Sequence, residues 1–199
     1  MNQPQLPRVY LARHGETEWS LSGRHTGRSD PPLNDRGRQR ARLLAPRLAS
    51  LRFTQVWTSP SARARQTCEL AGFGSRAEAD PDLQEWDYGQ YEGLRREQIQ
   101  QTRPDWSVFR DGCPGGESVA DISARADRVI ARLRGVEGDV LLFSSGHFLR
   151  VLASRWLGCD ASAGRFLLLQ TATLSILGYD HDKSEPAIVL WNDDSHLPG

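Results

Sequence analysis

Cysteine and lysine are scarce in this 199-residue chain, and long apolar runs are missing altogether. Only Cys68, Cys113 and Cys159 occur, far apart and with no Cys-x-x-Cys pair. That pattern excludes a disulfide framework or a thiolate zinc site and suits a reducing compartment, so a cytoplasmic protein is expected. No apolar stretch approaches the ~20 residues of a membrane span. The opening MNQPQLPR lacks the basic and apolar regions of a secretory signal. Net charge is absent too: Lys+Arg and Asp+Glu are 25 each, which gives no reason to expect a nucleic-acid or membrane partner. Without repeats or low-complexity tracts, a chain of this length suits one sizeable core, and a single domain over 1–199 is expected.

The charge that is present is unevenly spread. Residues 1–76 hold 13 arginines against 5 acids, and residues 77–121 hold 4 against 11. The ordinary reading is two solvated faces that neutralise each other. The sharper one is that some early arginines converge on an anionic substrate.

Strand and helix signals alternate along the chain. Val9–Ala12 (VYLA), Gln55–Ser59 (QVWTS) and Asp139–Ser144 (DVLLFS) are short β-rich runs. Ala41, Leu44, Leu48 and Leu51 recur at helical spacing behind a cap at Asn34 or Asp35, although Pro46 threatens that helix's continuity. Further helices are expected over Ser61–Ala71, from Ser118 onward, and over Phe148–Leu157. TLSILGY and AIVLW close the chain as strands, and DLQEWDYGQYEGL reads as loop with short helix. This predicts an α/β three-layer sandwich, a mostly parallel sheet with helices on both faces.

Three segments put reactive side chains at or just beyond strand ends: ARHGETEWS, WTSPSARARQT and LQEWDYGQYEG. Jointly they resemble the histidine phosphatase superfamily, which includes the phosphoglycerate mutases. Arg13-His14-Gly15 continues as Glu16-Thr17, and Thr26-Gly27 follows. Arg63 falls in the family's Ser-x-x-x-Arg-Ala-x-Gln-Thr context over Ser59–Thr67, and Glu85 in its Leu-x-Glu-x-x-x-Gly-x-x-Glu-Gly context over Leu83–Gly93. The resemblance implies a catalytic set of His14, Glu85, Arg13 and Arg63. It further implies a phosphate- and substrate-binding set of Ser20, Thr26, Gly27, Tyr88, Ser145, Gly146 and His147.

These residue types suit phosphoryl transfer on physical grounds. Two guanidiniums in fork geometry neutralise a dianionic phosphate monoester. A neutral imidazole can accept the phosphoryl group as a covalent intermediate, and the cations Arg13 and Arg63 favour the neutral form of His14. A carboxylic acid supplies the proton that an alkoxide leaving group needs. No metal or other cofactor is required, and His25, His181 and His196 show no ligand spacing.

Only 23 residues, Leu94–Gly116, separate Gly93 from Glu117, where mutases of the family carry a substantial insertion. That favours hydrolysis, and GRHTGRSDPPL, EWDYGQYEGL and GCPGGESV resemble small broad-specificity phosphatases, some acting on sugar bisphosphates. Ser20 after Trp19 fits the same subgroup. The expected function is a metal-independent phosphomonoesterase for a small phosphorylated metabolite such as a sugar phosphate, acting through a phosphohistidine on His14. The alternatives are a non-catalytic phospholigand-binding domain and a cofactor-dependent phosphoglycerate mutase.

One departure stands in LLFSSGHFLR. The family's second catalytic histidine aligns with Ser145, and His147 matches its neighbour. Making His147 catalytic would need a two-residue slide in a strand-to-helix turn, where geometry tolerates little. A serine nucleophile is excluded because Phe143 occupies the first glycine of the Gly-x-Ser-x-Gly elbow. Weakened activity is therefore expected.

Overall fold

The computed structural model describes residues 6–198, so the start of the MNQPQLPR segment lies outside it. Six strands, β1 (Val9–Arg13), β2 (Gln55–Thr58), β3 (Glu78–Ala79), β4 (Val140–Ser144), β5 (Leu174–Tyr179) and β6 (Pro186–Asp193), form one sheet in the order β3-β2-β4-β1-β5-β6. β3, β2, β4 and β1 are mutually parallel, whereas β5 runs antiparallel to β1 and β6 antiparallel to β5 at one side. The helices are α1 (Glu18–Leu21), α2 (Asp35–Leu48), α3 (Ala62–Leu70), α4 (Arg96–Gln100), α5 (Val108–Asp111), α6 (Val119–Arg134) and α7 (Gly146–Trp156).

The period-2 alternation of the central strands divides the core into two layers. Val9, Leu11, Val140 and Leu142 pack with α6 and α7 residues such as Ile122, Val129, Leu149 and Leu152. Tyr10, Ala12, Leu141 and Phe143 face Leu44 and Leu48 of α2 and Cys68 of α3. The expected three-layer α/β sandwich is what forms.

Local signals explain most of the helix boundaries. Asn34 caps α2 by accepting from the Gly37 N–H, and Ser118 with Asp121 makes a capping box at α6. Pro46 does not interrupt α2: it lies in the last turn, so its missing N–H forfeits one bond, to the Arg42 carbonyl, and the helix ends two residues later. α7 begins at Gly146, two residues before the sequence pattern suggests, and β3, α4 and α5 have no clear sequence signal.

The acidic segment finds its cations on α6: Arg132 pairs with Asp80, Arg128 with Asp82 and Arg125 with Glu117. Among the arginines before residue 77, only Arg28 bridges to it, through Asp87. The two charged stretches therefore do not simply neutralise each other.

Glycine is required where α2 meets the loop after β1. A Cβ on Gly15 would lie 2.6 Å from the Gly37 carbonyl oxygen, and one on Gly37 would strike the Glu16 backbone. This close approach holds His14 against the sheet end. Among the described residues no helix is long and apolar enough to cross a membrane.

Candidate active site

The C-terminal ends of β1 and β4 open into a cleft, the usual ligand position of a parallel α/β sheet. Arg13, His14, Ser20, Thr26, Glu85, Tyr88, Gly146 and His147 line it, brought together from four separate stretches of chain. Gly23, Arg24, His25, Arg150 and Leu169 line it as well; none belongs to the expected site set, although Gly23, Arg24 and His25 fall in GRHTGRSDPPL and Arg150 in LLFSSGHFLR. Arg63, Gly27 and Ser145 are not on its surface.

His14 sits at the end of β1, 5 % exposed, its N–H donating to the Ser144 carbonyl at 2.9 Å. Its Nδ1 lies 2.7 Å from the Gly15 carbonyl oxygen, which can only accept. Nδ1 therefore carries the proton, and Nε2 keeps its lone pair. Burial first, then the charges of Arg63 and Arg13, hold the imidazole well below its ordinary range.

Arg13 reaches the Leu169 carbonyl through Nη1, while its plane lies against Gly146, where a Cβ would come within 3.0 Å of Cζ. Arg63, 1 % exposed, donates from Nη1 to Ser29 (3.0 Å) and from Nη2 to Thr26 (2.9 Å). The same loop is held from the other side by Glu92, whose carboxylate accepts from the N–H of Gly27 (2.9 Å) and of Ser29 (3.1 Å). Gly27 thus shapes the loop, and the motif's Glu92 and Arg63 fasten it. Ser20 is engaged in the Thr17 capping box of α1.

Ser145 occupies the N-cap of α7 but makes no capping bond. Glu85 takes that place from another loop: Oε2 accepts from His147 N–H at 3.0 Å, and Oε1 from Phe148 N–H at 2.8 Å and Trp86 N–H at 2.9 Å. Its oxygens thereby satisfy N–H groups that the first turn of a helix leaves without partners. The register that pairs Arg13 with Ser144 sets His14 beside Ser145 on one face of the sheet. Four buried side-chain polar atoms lack a hydrogen-bond partner among the described residues, and three of them are Arg13 Nε, Arg63 Nε and Ser145 Oγ.

His147 forms the opposite wall. Its Nδ1 lies 2.5 Å from the Tyr88 hydroxyl, and its ring packs on Phe109, Tyr88 and His25. Burial, then Arg150, His25 and Arg13, keep His147 well below the ordinary imidazole range, while burial and Glu85 push the Tyr88 phenol well up. Tyr88 therefore donates and His147 accepts, which leaves the proton of the neutral ring on Nε2. Beyond His147 a side cleft continues between Arg96, Arg150, Arg165, Trp106 and Phe109. Arg150 stacks on Phe109 at 4.5 Å, and burial lowers its guanidinium to about 10.

One group of potential metal ligands exists among the described residues, Asp180, His181 and Glu185. It is exposed, lies between β5 and β6, and shares no residue with the cleft.

Comparison with known proteins agrees with this geometry. Residues 9–194 match the model of the histidine phosphatase superfamily, branch 1. An acid phosphatase of Mycobacterium tuberculosis is 41 % identical over 186 residues, covering 92 % of this chain and 91 % of that protein. The sedoheptulose 1,7-bisphosphatase of Saccharomyces cerevisiae is 36 % identical, over 76 % of this chain and 68 % of the yeast protein. A solved structure of a Mycobacterium tuberculosis open reading frame superposes with a TM-score of 0.88 at 39 % identity, covering 94 % of this chain and 97 % of the other. The chain belongs to the histidine phosphatase superfamily, branch 1, and stands among its phosphatases.

Proposed function

We propose that the protein is a metal-independent phosphomonoesterase that passes the phosphoryl group of a small metabolite to His14 and then to water. The observation that carries this reading is the set of buried, unpartnered polar atoms on Arg13, Arg63 and Ser145 around a histidine whose Nε2 is free. Buried donors without partners are costly unless a ligand completes them, and a phosphate dianion is such a ligand.

The reaction follows from the atoms. The Nε2 lone pair of His14 forms the N–P bond as the P–O bond to the leaving group breaks, and Arg13 and Arg63 stabilise charge on the phosphoryl oxygens. Glu85 gives the departing oxygen its proton. Oε1 already accepts two N–H groups and Oε2 only one, so Oε2 is the oxygen that carries it. In the second half, Glu85 recovers a proton from the attacking water, the N–P bond breaks, and inorganic phosphate leaves. A phospholigand-binding domain without turnover would need the arginines, but neither a histidine held with its Nε2 lone pair free nor an acid beside it.

The side cleft suits a second anionic group on the substrate, because Arg96, Arg150 and Arg165 border it and no acid does. A sugar bisphosphate has that form, as in the name of the yeast relative. Brief incubation with substrate, alkaline quench and mass spectrometry should locate an acid-labile phosphate on His14, and His14→Ala should abolish turnover. Wild-type rates in a folded His14→Ala variant, or activity lost to a chelator and restored by Mg²⁺ or Zn²⁺, would refute the scheme. Phosphate passed to phosphoglycerate instead of water would favour the mutase reading.

A further inference from the structure

We infer that Arg125 and Glu117 form a positioning pair that sets Glu85 at the proton-transfer distance, an inference that rests on Glu85 being the proton donor. Neither residue lines the cleft, and Arg125 is only 8 % exposed. A guanidinium has five N–H donors, and all five are used here. Nη1 donates to the carbonyls of Asp82 (2.8 Å) and Gln84 (2.6 Å), and Nη2 to the carbonyl of Glu85 (3.3 Å). Nε and Nη2 complete a bidentate pair with Glu117 at 2.8 and 2.7 Å.

Glu117 grips the same segment from its far side. Its carboxylate accepts from Asp87 N–H (2.9 Å), its carbonyl accepts from the Trp86 indole (2.9 Å), and its N–H donates to the Asp87 carbonyl (2.9 Å). The backbone of Asp82, Gln84, Glu85 and Asp87 is thereby tied to Arg125 of α6 and to Glu117 just before that helix. The Arg125 guanidinium also lies 4.7 Å from the ring centre of Phe148, whose N–H donates to Glu85 Oε1. One cation thus fixes the backbone of the acid and packs on the helix turn that receives its side chain. Such a frame limits Oε2 to a narrow range of positions, the requirement for efficient proton transfer.

The test uses kcat/KM, which reports formation of the phosphoenzyme, on an alkyl phosphate and on a nitrophenyl phosphate. The alkoxide needs a proton and the nitrophenolate does not. Arg125→Lys keeps the charge but cannot make the five-donor pattern, and Glu117→Gln removes the bidentate acceptor. Each should lose on the order of 10- to 100-fold on the alkyl ester and less than about threefold on the aryl ester. Arg125→Lys should add little further loss in a Glu85→Gln background. Equal losses on both esters in folded variants, with Glu85→Gln itself still selective, would overturn the pair while sparing the acid. A Glu85→Gln variant with equal losses would overturn the acid and the pair together. Arg125→Met extends the series, and if it does not fold the two milder variants decide.

Discussion

Removing the Ser145 hydroxyl should stabilise the free protein and weaken its hold on phosphate. A serine at a helix N-cap normally contributes about 1 kcal/mol, so Ser→Ala there is ordinarily destabilising. Here the sign reverses, since the hydroxyl caps nothing and Glu85 meets the helix N–H groups instead. Ser145 Oγ is fully buried without a partner, a state that costs about 1–3 kcal/mol. Ser145→Ala should recover about 1 kcal/mol of this and raise Tm by roughly 2–4 °C for a chain of this size. If the hydroxyl donates to the bound phosphoryl group, its loss forfeits a charge-assisted hydrogen bond of about 1.5–3 kcal/mol, or roughly 10- to 100-fold in affinity. Calorimetry of both proteins with and without orthovanadate reads the two effects separately. A lower Tm for unliganded Ser145→Ala would mean that the hydroxyl has a partner. Equal vanadate affinity would mean that it does not face the anion.

Ser145→His should raise kcat by up to about 10²-fold by adding an imidazole donor beside His14, and His147→Ala should leave measurable activity; the reverse pattern, with His147→Ala nearly inactive and Ser145→His no faster, would assign the role to His147. Gly146→Ala should lower kcat/KM on the order of 10- to 100-fold with little change in Tm, since its Cβ would meet Arg13 Cζ at 3.0 Å and displace the guanidinium; wild-type kinetics would contradict that packing. Stability should fall with acidity below pH ~6.5. His14 and His147 are held below their unfolded values, so the folded state binds fewer protons there, and their contribution is intact above the unfolded pKa and lost as pH drops. Each contributes a slope of up to about 1.4 kcal/mol per pH unit, and urea titrations from pH 5 to 8 should flatten in His147→Gln.

The central strands were readable because a buried strand needs only a short apolar β-rich run, and β1 and β4 have one each. α6 declared itself by its 3.6-residue period and its Ser118 cap, both properties of neighbouring residues. The candidate residues His14, Arg13, Arg63 and Glu85 were likewise readable as candidates, since strand ends and motif spacing are linear features. The start of α7 was not: its first turn is capped by Glu85, 62 residues away from His147, so no local signal marks it. Neither the antiparallel docking of β5 against β1 nor the two-residue β3 follows from local propensity, because both depend on which sheet edge is open when the strand arrives. The same holds for the side cleft, where Arg96, Arg150 and Arg165 come from three segments with no shared motif. It holds for the clamp of Arg125 and Glu117 as well. Sequence encodes what a residue prefers beside its neighbours, whereas burial, distance and the pairing of charges exist only once distant segments pack. Those are the quantities that set His14 neutral, left Ser145 without a partner and gave Glu85 its place.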